Sequence, residues 1–238
     1  MRFLLVIFLL CITTAHGRLV CNPLDHGAKG DGKSNDTTAF LAAVGNCTGV
    51  SGASVLVPSG TFLVWPLKLQ KVDGLTIQID GVLQAPLMKQ WTTPYPYSYF
   101  EIESSSNFSL IGSGVIDGNG ADWWEARHNG LDEAPKLLYF SSMTSSIVAN
   151  ILLRNSPMFH FVIKESTDIE VADVHANSPC DSPNTDFIDP GSSSNLYFHG
   201  CRITNGDDCV AIKEETYNIV VEDFVCNCSH GISIGSLG

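Results

Sequence analysis

Ser145-Ser146-Ile147-Val148-Ala149, Thr167-Asp168-Ile169-Glu170-Val171, Ser194-Asn195-Leu196-Tyr197-Phe198 and Tyr217-Asn218-Ile219-Val220-Val221 share one shape, a polar pair followed by a short apolar strand. Ser106-Asn107-Phe108-Ser109-Leu110 is an earlier copy. The anchors Ile147, Ile169, Leu196 and Ile219 are spaced by 22, 27 and 23 residues, a period within the range of solenoid repeats. An alternating strand with no hairpin partner buries its inner face by stacking on the strand of the next turn. The spacing therefore predicts a parallel β-helix with coils about 4.8 Å apart. A β-sandwich is the alternative and needs the spacing to be coincidental.

Upstream, Val55 to Val57, Thr61 to Val64, Leu75 to Ile79 and Val82 to Leu83 are β-rich and separated by Gly, Pro or Asp. Asn35-Asp36-Thr37-Thr38 ahead of Ala39 to Val44 reads as a short capped helix. No second helical pattern of comparable strength is present, which disfavours an alternating βα sheet. The expectation is one all-β domain over residues 18–238 with a short N-terminal capping helix.

The 238 residues hold 25 Asp plus Glu against 13 Lys plus Arg, a formal charge of -12. That excludes a general nucleic-acid binder, which needs a basic face to replace counterions. At 44% hydrophobic and 16% charged the composition is globular. Met1-Arg2, the ten-residue apolar run Phe3 to Ile12, and Ala15-His16-Gly17 read as a cleaved signal peptide over residues 1–17. The run is too short for a membrane span, which takes about 20 residues. A secreted protein, extracellular or in a cell wall and free of the membrane after cleavage, is expected. Seven cysteines then remain, and in an oxidising compartment they are disulfide partners rather than metal ligands, with one left over. Sequons at Asn35, Asn46, Asn107 and Asn227 are compatible with glycosylation on the same route.

Asp186, Asp208 and His230 are spaced by 22 residues and again by 22, with Asp207 beside Asp208. Equal steps of one coil place such residues above one another. Glycosidic cleavage needs one carboxylic acid for the leaving oxygen and one carboxylate for water or direct attack. Crowded carboxyls supply both, because mutual repulsion keeps one protonated. Adjacent residues on a regular strand face opposite ways, so Asp207 and Asp208 share a site only if the strand is irregular. Gly206 offers a bend. Taken singly, Gly-Asp-Asp and Asn-Thr-Asp also read as turn chemistry.

These residues, with "GAKGDGKSNDTTAF" at Gly27–Phe40, "VLVPSGTFLV" at Val55–Val64, "IDGNGADWW" at Ile116–Trp124, "SPNTD" ending at Asp186, "GDDC" at Gly206–Cys209 and "HGISIGSLG" from His230, resemble the polygalacturonase family of pectin-cleaving glycoside hydrolases. The resemblance implies a right-handed, single-stranded parallel β-helix that hydrolyses α-1,4-galacturonosyl bonds with inversion. Asp207 would be the general acid, Asp186 and Asp208 would activate water, and His230 would hold the acid's protonation state or orient it. It further implies a pectic polysaccharide partner, no cofactor, no metal, and a monomer when complete.

Asn184 and Lys213 are the candidates for holding substrate. Cys209 with Cys226 matches a family bridge. Cys21 with Cys47 would tie down the cap, and Cys180 with Cys201, 21 residues apart, would join neighbouring coils, leaving Cys228 over. Phe187 and Ser229 depart from the glycines usual in the family. The family's Arg-Ile-Lys motif would lie one or two coils beyond Gly238, so the chain is expected to be C-terminally incomplete, poorly stable and weakly active as it stands. A non-catalytic pectin-binding relative and a calcium-dependent pectate lyase are the alternative readings. The lyase is disfavoured because no arginine accompanies the cluster in sequence. Rhamnogalacturonan and xylogalacturonan remain open as substrates.

Overall fold

The computed structural model describes residues 18–92 and 94–235. The signal peptide expected at residues 1–17 lies outside the described residues. Three parallel sheets of eight, eight and seven strands run the length of the molecule, and each coil after the first contributes one strand to each. The first sheet runs from Val20–Cys21 to Tyr217–Glu222, the second from Asp31–Asn35 to Val225–Asn227, and the third from Leu67–Gln70 to Gly231–Ile234.

Stacking in register makes the core. In the first sheet Val55, Ile77, Leu110, Val148, Val171 and Phe198 lie one above another, all fully buried. In the third, Phe100, Leu138, Phe161, Ile188 and Val210 do the same. Each such side chain contributes roughly 1.5–3 kcal/mol through burial. The last coil shows the converse, with Ile232 54% and Ile234 73% exposed because no described residue covers them.

The polar pairs have a backbone cause. Their second members, Asn107, Ser145, Asp168, Asn195 and Asn218, all sit at φ between 50° and 57°, the left-handed region that Asn and Asp tolerate better than most residues. Asn195 Nδ2 donates to Asp168 Oδ1 at 2.9 Å and Asn218 Nδ2 to Asn195 Oδ1 at 3.1 Å, so the turn side chains form their own ladder. One anchor moves: Ser146, not Ile147, pairs with Ile169 and fills the buried position. The polar pair of that coil is Thr144-Ser145.

Helix α1 (Thr37–Cys47) lies over the first coil and buries Ala39, Phe40, Ala43, Val44 and Cys47. At its start Asn35, one residue before the N-cap Asp36, accepts from Thr37 N at 3.0 Å through Oδ1. Asp36 instead accepts from Lys29 N and Gly30 N, at 2.7 and 3.0 Å. A second helix, absent from the sequence expectation, is α2 (Ala121–His128). Trp123 is its one buried residue, packed edge-on to Trp91 at 5.3 Å and Tyr95 at 4.7 Å. A helix with a single buried position leaves no 3.6-residue period to read.

Disulfides join Cys21 to Cys47 and Cys209 to Cys226, as expected. The expected Cys180–Cys201 bridge is not formed. Cys180 pairs with Cys228, and Cys201 is a free, buried thiol. A separation close to one coil misled here because the two residues lie at different corners of it. Cys201 precedes the second-sheet strand Arg202–Thr204 and points into the core, whereas Cys180 and Cys228 both follow second-sheet strands, on the corner facing the third sheet. The four sequon asparagines, Asn35, Asn46, Asn107 and Asn227, are all exposed.

Candidate active site

Asp186, Asp207, Asp208 and His230 sit where three neighbouring third-sheet strands begin, Ile188–Gly191, Asp208–Ile212 and Gly231–Ile234. The alternation rule that would separate Asp207 from Asp208 does not apply. Asp207 lies in a bend ahead of the strand, and the register slips between Asp208 and Val210. Gly206 permits this by close approach rather than by unusual φ. A Cβ there would stand 2.2 Å from Ser182 O.

Asp207 is the hub. Its Oδ1 accepts from Asp208 N at 2.9 Å and lies 3.2 Å from His230 Nδ1, and its Oδ2 accepts from Asn184 Nδ2 at 3.5 Å. Ser233 Oγ donates to Asp208 Oδ2. Asp207, Asp208 and His230 each offer an atom within 4.8 Å of the other two. Asp207 is partly open, 22% exposed, and His230 is 67% exposed.

The departures at Phe187 and Ser229 do no harm to this geometry. Phe187 is fully buried against Phe224, at 6.1 Å between rings, and turns away from the cleft. Neither residue has positive φ. Ser229 Oγ donates to Asp207 O at 2.8 Å and accepts from Gly231 N at 3.1 Å, fastening the turn that carries His230 to the turn that carries Asp207.

Behind Asp207 the site is buried. Asp186 is 5% exposed and its Oδ1 has no hydrogen-bond partner. Burial, and then the charges of Asp189 and Asp207, push its carboxyl well above the ordinary range. Asp189, 3% exposed, is pushed up by burial and by Asp208 and Asp207, against the opposing charge of Lys213. Lys213 Nζ stands 3.1 Å from Asp189 Oδ1. Like charges this crowded do not all ionise, so the cluster holds protons that isolated aspartates would have lost.

Four organising residues were missed by sequence reasoning. His160 is fully buried, with Nδ1 3.0 Å from Thr185 O and 3.2 Å from Asp186 O and Nε2 3.0 Å from Ser178 Oγ. Two carbonyl neighbours put its proton on Nδ1, and burial lowers the ring to about 4, so it is neutral. Asn205, also fully buried, donates to both Thr185 O and Asp208 O at 2.8 Å. Arg127 of α2 donates to Asn184 Oδ1, which turns the Asn184 amide NH2 toward Asp207. An arginine therefore does accompany the cluster, delivered by a helix that the repeat does not encode. Asp189 was legible as the outward residue after Ile188, three positions beyond Asp186. The Asn-Ser-Pro tripeptide at 155–157 and again at 177–179 marks one corner of successive coils and pointed toward His160.

Residues 47–238 match the sequence signature of the glycosyl hydrolases family 28. The chain belongs to that family. Among family relatives, a polygalacturonase of Cryptomeria japonica is 35% identical over 92% of this chain and 45% of its own length. An Arabidopsis thaliana protein described as a probable polygalacturonase is 38% identical over 89% of this chain and 46% of its own. The chain thus spans about half the length of the curated relatives it matches. Of solved structures, a polygalacturonase from Erwinia carotovora superposes with a TM-score of 0.80 at 27% identity, covering 92% of this chain and 65% of that one. An endo-xylogalacturonan hydrolase from Aspergillus tubingensis gives 0.79 at 28% identity, covering 92% and 60%. The fold is the right-handed parallel β-helix of these enzymes.

Proposed function

We propose that this family 28 protein is a secreted hydrolase of α-1,4-galacturonosyl bonds in pectin, working with inversion in the breakdown or remodelling of cell walls. The observation that carries the reading is the convergence of Asp186, Asp207, Asp208 and His230 on one edge of the third sheet, with Asp207 at the open side. Asp207 delivers a proton to the leaving oxygen, since it is the carboxyl that is both accessible and hydrogen-bonded to the rest of the cluster. Asp208 takes the proton of the attacking water, and Asp186, whose buried carboxyl is raised, positions that water beside it. Asp207 and Asp208 approach more closely than the roughly 6.5–9.5 Å of inverting pairs, so the water is held by Asp208 with Asp186 and not between the two neighbours. His230 orients Asp207 through the 3.2 Å contact. Asn184, aimed by Arg127, fixes the other carboxylate oxygen. Lys213 is the cation of the cleft that faces the substrate's carboxylates.

The test is reducing-end release from polygalacturonate by the protein and by Asp207→Asn. Release that depends on Asp207 and survives a chelator supports the reading. An unsaturated product whose formation the chelator abolishes selects a lyase, and binding without release selects a non-catalytic relative.

A further inference from the structure

In two successive coils the turn from the second sheet into the third carries carboxylates, Thr185-Asp186 in one and Asp207-Asp208 in the next. The interior behind such a turn is ordinarily apolar. Here two fully buried polar side chains lie behind the carboxylates, His160 from the coil that precedes Asp186 and Asn205 from the coil of Asp208. Apart from the Ser178 hydroxyl on His160 Nε2, both side chains bond only to backbone carbonyls of the carboxylate-bearing turns.

These bonds meet at one peptide. Thr185 O accepts from His160 Nδ1 at 3.0 Å and from Asn205 Nδ2 at 2.8 Å, so donors from the coils on either side reach the same oxygen. His160 also holds Asp186 O, with Nδ1 at 3.2 Å and its backbone N at 2.7 Å. The second hydrogen of the Asn205 amide goes to Asp208 O, again at 2.8 Å. One carboxamide nitrogen therefore ties the turn of Asp186 to the turn of Asp208.

The backbone does not depend on either side chain for its hydrogen bonds. Without Asn205, Thr185 O keeps His160 Nδ1 and Asp208 O keeps Phe187 N at 2.9 Å. Without the His160 ring, Thr185 O keeps Asn205 and Asp186 O keeps the backbone N of residue 160. Asn205 Oδ1 is buried with no hydrogen-bond partner, a cost that a leucine of similar shape does not carry. A polar group retained against local stability beside a cluster of carboxyls marks geometry kept for chemistry.

We propose that His160 and Asn205 are positioning residues that act through the Thr185 carbonyl: between them they fix the separation of Asp186 from Asp208, and with it the place of the attacking water. The proposal rests on the reading of the cluster as a hydrolytic centre in which those two carboxyls hold the water. It divides the labour of the site. Arg127 and Asn184 set Asp207 from the side of α2, whereas His160 and Asn205 set the water-holding pair from the core.

The experiment compares Asn205→Leu, His160→Leu and His160→Asn with the parent by kcat and KM on polygalacturonate, by melting temperature, and by carbon NMR titration of the Asp186 carboxyl. Both leucine variants lower kcat about tenfold or more, toward the hundredfold that a misplacement of about 1 Å costs. KM is unchanged, because both side chains are sealed from the cleft. Asn205→Leu melts at or above the parent's temperature. Asp186 titrates lower in both, since a loosened turn admits water to a carboxyl that burial holds up. His160→Asn, which retains a donor where Nδ1 stood, recovers most of the lost kcat and the parent's titration. Unchanged kcat in both leucine variants overturns the proposal, as does a joint fall of kcat and melting temperature with Asp186 titrating as in the parent. Failure of Asn205→Leu to fold does the same, because it makes the amide a bond the fold needs. If the parent releases no sugar, the hydrolase reading falls and the positioning pair is judged on Asp186 alone: a lowered titration keeps it and an unaltered one ends it.

Discussion

Inside the coil, Phe140 meets Phe108 edge to face at 5.8 Å and Phe161 at 4.9 Å, within a core whose inward residues lie over those of the neighbouring coils. At the outer edge of the third sheet, one and two coils further on, Asn184 takes φ 52°, the register slips at Asp208, and the buried Asp186 Oδ1 has no hydrogen-bond partner. The first region is regular because burial rewards every repetition of the same shape. The second breaks each local rule, and the breaks are what bring carboxyls together that a regular strand would hold apart. Stability is thus concentrated in the repeat and chemistry in its interruptions.

The contrast can be broken from either side. Removing a ring from the stack, Phe140→Ala, costs about 3–5 kcal/mol of stability, measured by denaturant unfolding. A loss under about 1 kcal/mol would mean that the coils do not depend on their stacked interior. At the edge, Asp207→Asn lowers turnover about a hundredfold or more, which is about 2.7 kcal/mol of barrier. Its melting temperature stays near the parent's, because the side chain is partly solvated. Equal damage to both readouts would put Asp207 in the structural class.

Gly206→Ala sits between the two regions. Its Cβ would stand 2.2 Å from Ser182 O, so both turnover and stability fall, the latter by about 1–3 kcal/mol. Gly191→Ala, with 3.5 Å to Lys213 Cβ, is the mild comparison and leaves stability nearly unchanged.

The smallest effect is in pH. The folded-state carboxyls of Asp186 and Asp189 are raised, so the native state binds more protons than the unfolded chain above pH 3.8, the ordinary aspartate value. That stabilisation is complete below pH 3.8 and fades as pH climbs through their raised values. His160, lowered from 6.5 to about 4, acts with the opposite sign: its contribution is present above pH 6.5 and lost as pH falls toward 4. Melting temperatures across this range fall less on the alkaline side in Asp186→Asn than in the parent. An unchanged slope would remove Asp186 from the proton count of the cluster.

The repeat was legible because the chain writes it many times. The left-handed turn residue, the inward apolar position and the coil spacing recur from Asn107 to Asn218. Asp186, Asp208 and His230 were legible for the same reason, since they share the 22-residue step of the coil. The Ile147 anchor slipped by one because Ser146, a polar residue, takes the buried position there, donating to Thr144 O at 3.0 Å. Features that occur once left no such trace. Helix α2 hangs on Trp123 alone, and Arg127 reaches Asn184 across 57 positions of sequence. The Cys180–Cys228 bridge spans 48 residues, about two coils, and a search for one-coil spacings favours Cys201 instead.

The most direct test of the aspartate cluster as an inverting hydrolytic centre is the anomeric configuration of the first sugar released from polygalacturonate, followed by proton NMR before mutarotation. The account predicts that the β-anomer appears first from the α-linked chain, and that Asp207→Asn abolishes its appearance while binding persists. Initial release of the α-anomer would require a covalent intermediate on one of these carboxylates, and would contradict the assignment of water to Asp208 and Asp186.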